Sequence, residues 1–189
     1  MAYIKIVLAA LFIISITSCT DDSNFIIEKG RVGELTKETK IEELATIFKK
    51  DSLVVTLSEV TVEQDKKNKY FSDDDEYTVF SKEGKKLLTI IPIKQHDSLS
   101  TIKSVEIFSD KYKTKEGVSL YSPFKDIRLA YSIDITNTLL SAHVDIDKLN
   151  ATMSIDKKEI GINEFNRESI IVDQIPDLAQ INHFTIWFN

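Results

Sequence analysis

Cysteine is nearly missing from this 189-residue chain: a single one, Cys19, stands close to the start. An internal disulfide is therefore excluded. Glycine and proline are scarce, five and three residues, and no Pro/Gly/Ser-rich stretch divides the sequence, so no linker separates two units. Arginine occurs only at Arg31, Arg128 and Arg167, which leaves few guanidinium forks for bidentate capture of phosphate or carboxylate. The net charge is −6 at pH 7 and no basic cluster is visible, the wrong electrostatics for nucleic acid. Also missing are a nucleophile elbow, a phosphate-binding glycine loop, a dinucleotide fingerprint and an HExxH helix. Nothing in the sequence implies a cofactor.

What is present begins at the amino end. Lys5 precedes the apolar run Ile6 to Ile14, and small or polar residues from Ser15 to Ser18 lead to Cys19. An apolar run of roughly 7–15 residues is too short to span a bilayer, which takes about 20, and has the layout of a secretory signal. The tetrapeptide Ile16-Thr17-Ser18-Cys19 resembles the bacterial lipobox. That resemblance implies a signal peptide over 1–18, cleavage before Cys19, diacylglycerol on its thiol, and acylation, with palmitate for example, of the new amino terminus. Several acyl chains make a firm anchor, since each buried methylene contributes about 0.8 kcal/mol. With Cys19 lipidated, no thiol is left for catalysis or a metal. Residues 19–24 then read as a lipidated tether, and Thr20-Asp21-Asp22-Ser23 resembles the surface-export signal of Bacteroidota lipoproteins. The expected location is the cell envelope, at the outer membrane, facing either the periplasm or the cell surface.

Residues 25–189 read as a single α+β domain: an antiparallel sheet packed by two short helices. Ile41, Leu44, Ile47 and Phe48 recur at helical spacing behind Thr39, with Glu42 and Glu43 in the first turn. Ser122-Pro123 opens a second helix whose stripe is Phe124, Ile127 and Tyr131. Strand patterns cover Leu53–Leu57 running on into Val60–Val62, Tyr77–Phe80, Leu87–Ile91, Ile102–Phe108, Ser132–Ile135, Leu139–Ile146, Ala151–Ile155 and Phe184–Phe188. Lys82-Glu83-Gly84-Lys85 predicts a hairpin with Gly84 at positive φ. Val32–Leu35 with the first helix, and Val118–Leu120 with the second, suggest two helix-then-strands repeats.

Two further resemblances bear on this region. Gly30-Arg31-Val32-Gly33-Glu34-Leu35-Thr36-Lys37 and the helix after it are similar to the opening of BamE-like and β-lactamase-inhibitor-like envelope domains. The stretch from Ile102 to Tyr131, with Gly117-Val118 and Ser122-Pro123-Phe124, resembles the enterobacterial sigma-E-regulated lipoprotein family, a domain of unknown function. Tyr121 stands where that family usually has glycine. The likeness implies a fold and a compartment but no activity.

Few residues suggest chemistry. His143, Asp145 and Asp147 share one face of a strand, where nitrogen and carboxylate ligands suit a divalent transition metal; the competing reading is a half-buried strand with Val144 and Ile146 inward. Asp73 to Glu76 cluster oxygens without the spacing of an EF-hand. His96-Asp97 is an acid/base candidate in a loop, and His183 reads as a surface side chain. In the last strand Phe184, Ile186 and Phe188 fall on one face and Thr185 and Trp187 on the other, making Trp187 a candidate binding anchor. The expectation is a non-catalytic binding or scaffolding domain, held to a membrane by Cys19 and engaging an envelope protein or other envelope component. Its rivals are a metal-dependent hydrolase using His143, Asp145 and Asp147, and a small-molecule or lipid carrier.

Overall fold

A computed structural model describes residues 22–58, 74–163 and 169–188. The signal segment, Cys19, the first residues of the tether, the Val60–Val62 strand extension and Asp73 lie outside them. Strands β1 (Ile26–Glu28), β2 (Arg31–Val32), β3 (Leu35–Thr36) and β8 (Lys113–Thr114) form a small sheet in the order β3-β2-β1-β8. The others are β4 (Ser52–Thr56), β5 (Glu76–Phe80), β6 (Lys86–Pro92), β7 (Ile102–Ile107), β9 (Asp134–Asn137), β10 (Ser141–Ile146), β11 (Ala151–Asp156) and β12 (His183–Trp187). They make one sheet of eight strands, β4-β5-β6-β7-β12-β11-β10-β9, with every neighbouring pair antiparallel. Two four-strand meanders thus meet where β7 lies beside β12.

The α+β expectation is overturned: the fold is mostly β, with twelve strands in two sheets among the described residues. The helices there are α1 (Leu44–Ile47), α2 (Phe124–Ala130) and α3 (Lys157–Ile160). The periodic stretch behind Thr39 yields only a 3-10 turn, Ile41–Glu43, and the single turn α1 before Phe48 leaves helical geometry at ψ 30°. Such short helices cannot hold themselves together by backbone bonds. They survive by burying Leu44, Phe124 and Ile127, each 0% exposed. The sheets carry the rest. Ile27, Val32 and Leu35 of the small sheet and Leu88, Ile90, Val105, Val144 and Ile155 of the large one belong to the same buried cluster. Fully burying a side chain of this size is worth about 1.5–3 kcal/mol.

Several strand expectations hold. Gly84 closes the β5–β6 hairpin at φ 76°, and Val144 and Ile146 point inward on β10. One glycine is demanded more strongly. Gly33 has φ 59°, and a Cβ there would lie 2.4 Å from the Asn24 carbonyl oxygen. Gly33→Ala is therefore expected to lower unfolding stability by about 2 kcal/mol, read as a shift of the urea midpoint at unchanged slope. An unmoved midpoint would show that the Asn24 segment yields without cost.

Candidate functional site

Alternation leaves the outer face of the large sheet polar, as an antiparallel sheet permits. Residues opposite one another on neighbouring strands share a face. The register sets Asp145 on β10, Thr152 on β11, Thr185 on β12, Glu106 on β7 and Thr89 on β6 in one line across that face. Trp187, two residues beyond Thr185, stands half-buried on the same side. Its strand partners Phe184 and Ile186 point the other way and are wholly buried.

A chain of hydrogen bonds holds this surface in place. Trp187 Nε1 donates to Thr152 Oγ1 at 3.2 Å, and that hydroxyl donates to Asp145 Oδ1 at 2.8 Å. Thr136 Oγ1 on β9 donates to the other oxygen, Oδ2, at 3.2 Å. Asn150 Nδ2 donates to the Trp187 carbonyl at 2.9 Å. The indole's polar atom is thus occupied within the protein, and what it offers outward is its apolar surface.

Two grooves open on either side of this indole, sharing Glu106, Thr185 and Trp187 as a wall. The larger, about 600 Å³, is lined by His143, Ser154, Asp156, Asn182 and His183 among others. His143 and His183 both lie opposite Ser154, one from each side. His183 Nδ1 is 2.7 Å from Glu106 Oε1. Asn182 accepts from Ser154 Oγ at 2.6 Å and donates to Asp156 Oδ1 at 2.7 Å. Among the described residues, no lysine or arginine lines this groove. The smaller one, about 380 Å³, has Lys86, Lys103, Asp74 and Glu76 in its walls. There Lys103 Nζ is 3.4 Å from Asp74 Oδ2, so its charge is already matched.

The residues singled out from sequence separate. His143 faces the large groove. Asp145 is on the same face of β10 but spends both oxygens on threonine hydroxyls. Asp147 sits in the turn after β10, where its carbonyl accepts from the Asn150 amide at 3.2 Å. Among the described residues, no group of three or more His, Cys, Asp or Glu side chains is placed to hold a metal.

A cluster that sequence reasoning missed lies at the outer end of β4. Asp75 is fully buried. Its Oδ1 accepts from the Ser58 amide at 2.8 Å and the Ser58 hydroxyl at 2.9 Å, and its Oδ2 accepts from the His96 amide. Ser58 Oγ is 3.2 Å from His96 Nε2, and His96 Nδ1 is 3.7 Å from Asp75 Oδ1. These are the residue types of a hydrolase triad, but the connections differ. The serine hydroxyl reaches the buried carboxylate directly, at 2.9 Å, whereas His96 Nδ1, at 3.7 Å, stands beyond hydrogen-bond distance of it. The cluster works as a latch that ties the end of β4 to the start of β5 and to the loop after β6. Burial pushes the Asp75 carboxyl up, but the His96 and Ser58 amides and the Ser58 hydroxyl more than offset this and hold it below the usual range. Asp97, the neighbour sequence suggested for His96, instead accepts from the Leu99 amide at 2.9 Å in a local turn. His96 itself has φ 57°.

No protein-family model matches the chain, and no curated protein matches it at a significant level. Among solved structures, that of the uncharacterized protein yfeY from Escherichia coli is similar, with a TM-score of 0.50 and 14% identity. The likeness covers 86% of this chain and 98% of that one. At this identity it concerns the fold alone, and that protein is described without an assigned activity. No described helix is long and apolar enough to cross a membrane.

Proposed function

We propose that the chain is a lipid-anchored envelope protein whose large sheet presents a non-catalytic binding surface centred on Trp187. The observation that carries this reading is the indole's position. It is the chain's one tryptophan, placed on the polar face between two grooves instead of in the core. The described residues of the groove beside it offer hydroxyl, carboxamide, carboxylate and imidazole groups and no lysine or arginine, a lining that disfavours phosphate and other strongly anionic ligands. An apolar ring face bordered by such groups suits a neutral polyhydroxylated ligand, a saccharide of the envelope or of the cell's surroundings. The inner face, where a carrier would hold cargo, is filled by Phe184, Met153, Ile155 and Val144, all 0% exposed.

Because Trp187 is the chain's sole tryptophan, its fluorescence reports on the site directly. Titration with envelope polysaccharide fractions is expected to shift or quench its emission saturably, and Trp187→Ala is expected to abolish retention of the same fraction on immobilised protein. Unchanged emission with every fraction, or undiminished retention by the variant, would remove this surface from consideration. The anchor has its own test. Labelled palmitate is expected to enter the wild-type chain and to be lost on Cys19→Ala; label persisting in that variant would refute lipidation at Cys19.

A further inference from the structure

Trp187 is held from two sides. Asn150, in the turn between β10 and β11, clamps its main chain: the Asn150 carbonyl accepts from the Trp187 amide at 2.8 Å, and Nδ2 donates to the Trp187 carbonyl at 2.9 Å. Asn150 does this at φ 52°, a left-handed conformation that asparagine tolerates. The side chain is held by the hydrogen-bond relay, which passes through four neighbouring strands, from Trp187 on β12 to Thr152 on β11, Asp145 on β10 and Thr136 on β9.

The sense of this relay is fixed by its chemistry. An indole N–H only donates, an ionised carboxylate only accepts, and a hydroxyl does both. Thr152 fits between the two in one way: Oγ1 accepts from Trp187 Nε1 and gives its own proton to Asp145 Oδ1. Without Asp145 the hydroxyl would be free to turn its proton toward water or toward the indole, where it would compete with the N–H. The carboxylate draws that proton away and leaves a lone pair facing the ring nitrogen. Thr136, bonded to Oδ2, keeps the carboxylate itself from turning.

Sheet stability alone does not call for a carboxylate here. Asp134 lies directly opposite Asp145 on β9, and like charges facing each other across a strand pair are destabilising. Nor does the indole need a relay to satisfy its N–H, since the ring is half-buried on the polar face. What the relay adds is direction. A loose aromatic ring must give up its freedom when a ligand settles on it, and a ring already fixed does not.

We propose that Asp145 is a positioning residue for Trp187, acting through the Thr152 hydroxyl to set the plane of the indole before a ligand arrives. The assignment rests on the reading of Trp187 as the binding contact. Fixing one such side chain in advance is equivalent to roughly two- to tenfold in affinity.

Because Trp187 is the sole tryptophan, the isotope-labelled full chain gives a single indole N–H resonance, which reads the relay without any ligand. Asp145→Ala changes no atom in contact with the indole, yet it is expected to move that resonance and to quicken its exchange with water, with an unchanged circular dichroism spectrum. Thr152→Val, which cannot accept, should do the same, whereas Thr152→Ser keeps the hydroxyl and should keep the wild-type signal. Gly33→Ala, in the other sheet, should lower the urea midpoint and leave the resonance in place, which separates positioning from loss of stability. Retention of the envelope polysaccharide fraction held by wild type is expected to weaken by roughly two- to tenfold in Asp145→Ala and Thr152→Val, and not in Thr152→Ser. A resonance and exchange rate unmoved in Asp145→Ala would overturn the proposal, as would a moved resonance with retention undiminished. If wild type retains no fraction, the reading of Trp187 as a contact falls, and the indole resonance of Asp145→Ala still decides whether the relay orients the ring.

Discussion

Asp75→Ala is expected to destabilise the protein by about 3 kcal/mol, because it removes charge-assisted hydrogen bonds and leaves buried donors without an acceptor. The donors are the amides of Ser58 and His96 and the Ser58 hydroxyl, all of which converge on this carboxylate. Asp75→Asn keeps the shape but turns a second donor toward one of them, so it should recover only part of the loss. The pH dependence has a defined sign. The folded carboxyl titrates below its ordinary value of 3.8, so its contribution is complete above that pH and disappears as pH falls through the folded value. Glu116 acts in the same direction. Lys148 and then Tyr131 hydrogen-bond to its carboxylate and bring it from 4.5 to about 2. Wild type should therefore lose stability steadily below about pH 4.5. Asp75→Asn should show a flatter profile, its deficit shrinking as acid neutralises the wild-type carboxyl. Urea midpoints measured from pH 7 to pH 2 check both statements; a variant as stable as wild type at pH 7 would show that the latch bears no weight.

How much of this was legible in the sequence depends on the distance over which each feature is specified. The β5–β6 hairpin is local: Gly84 supplies the positive φ between two short runs rich in apolar residues, Tyr77–Phe80 and Leu87–Ile91. The division of β12 into a buried Phe184/Ile186 face and a Trp187 face is also local, a plain consequence of period two. Fold class was misjudged for a physical reason. Ile41, Leu44, Ile47 and Phe48 have helical spacing, but a stretch this short keeps helix only where packing allows, and packing allowed one turn. The two-residue strands β2, β3 and β8 are too short for alternation to reveal, although with β1 they form a whole sheet. The site was half legible. Trp187 could be placed on a face, but its ties to Thr152 and Asp145 depend on the register of three strands. The Ser58–Asp75–His96 latch depends on long-range closure alone, which no spacing rule conveys.

Two substitutions on one strand separate folding from binding most sharply. Phe184 is 0% exposed and lies opposite Met153, also fully buried, on the strand that joins the two meanders. Phe184→Ala would leave a cavity in the middle of the core, and a loss of about 3–5 kcal/mol is expected. Such a loss is a large fraction of a domain's total stability, so the variant should unfold at much lower urea and be sensitive to protease. Trp187, three residues along and on the opposite face, is half-buried and gives its indole N–H to Thr152. Trp187→Ala should cost only about 1–2 kcal/mol while removing the contact on which ligand retention depends. If Trp187→Ala proved as destabilising as Phe184→Ala, the indole would be a structural plug between the grooves and the surface around it would lose its claim to be a binding site. If it folds normally and no longer retains ligand, the polar face of the eight-stranded sheet is where this protein meets its partner.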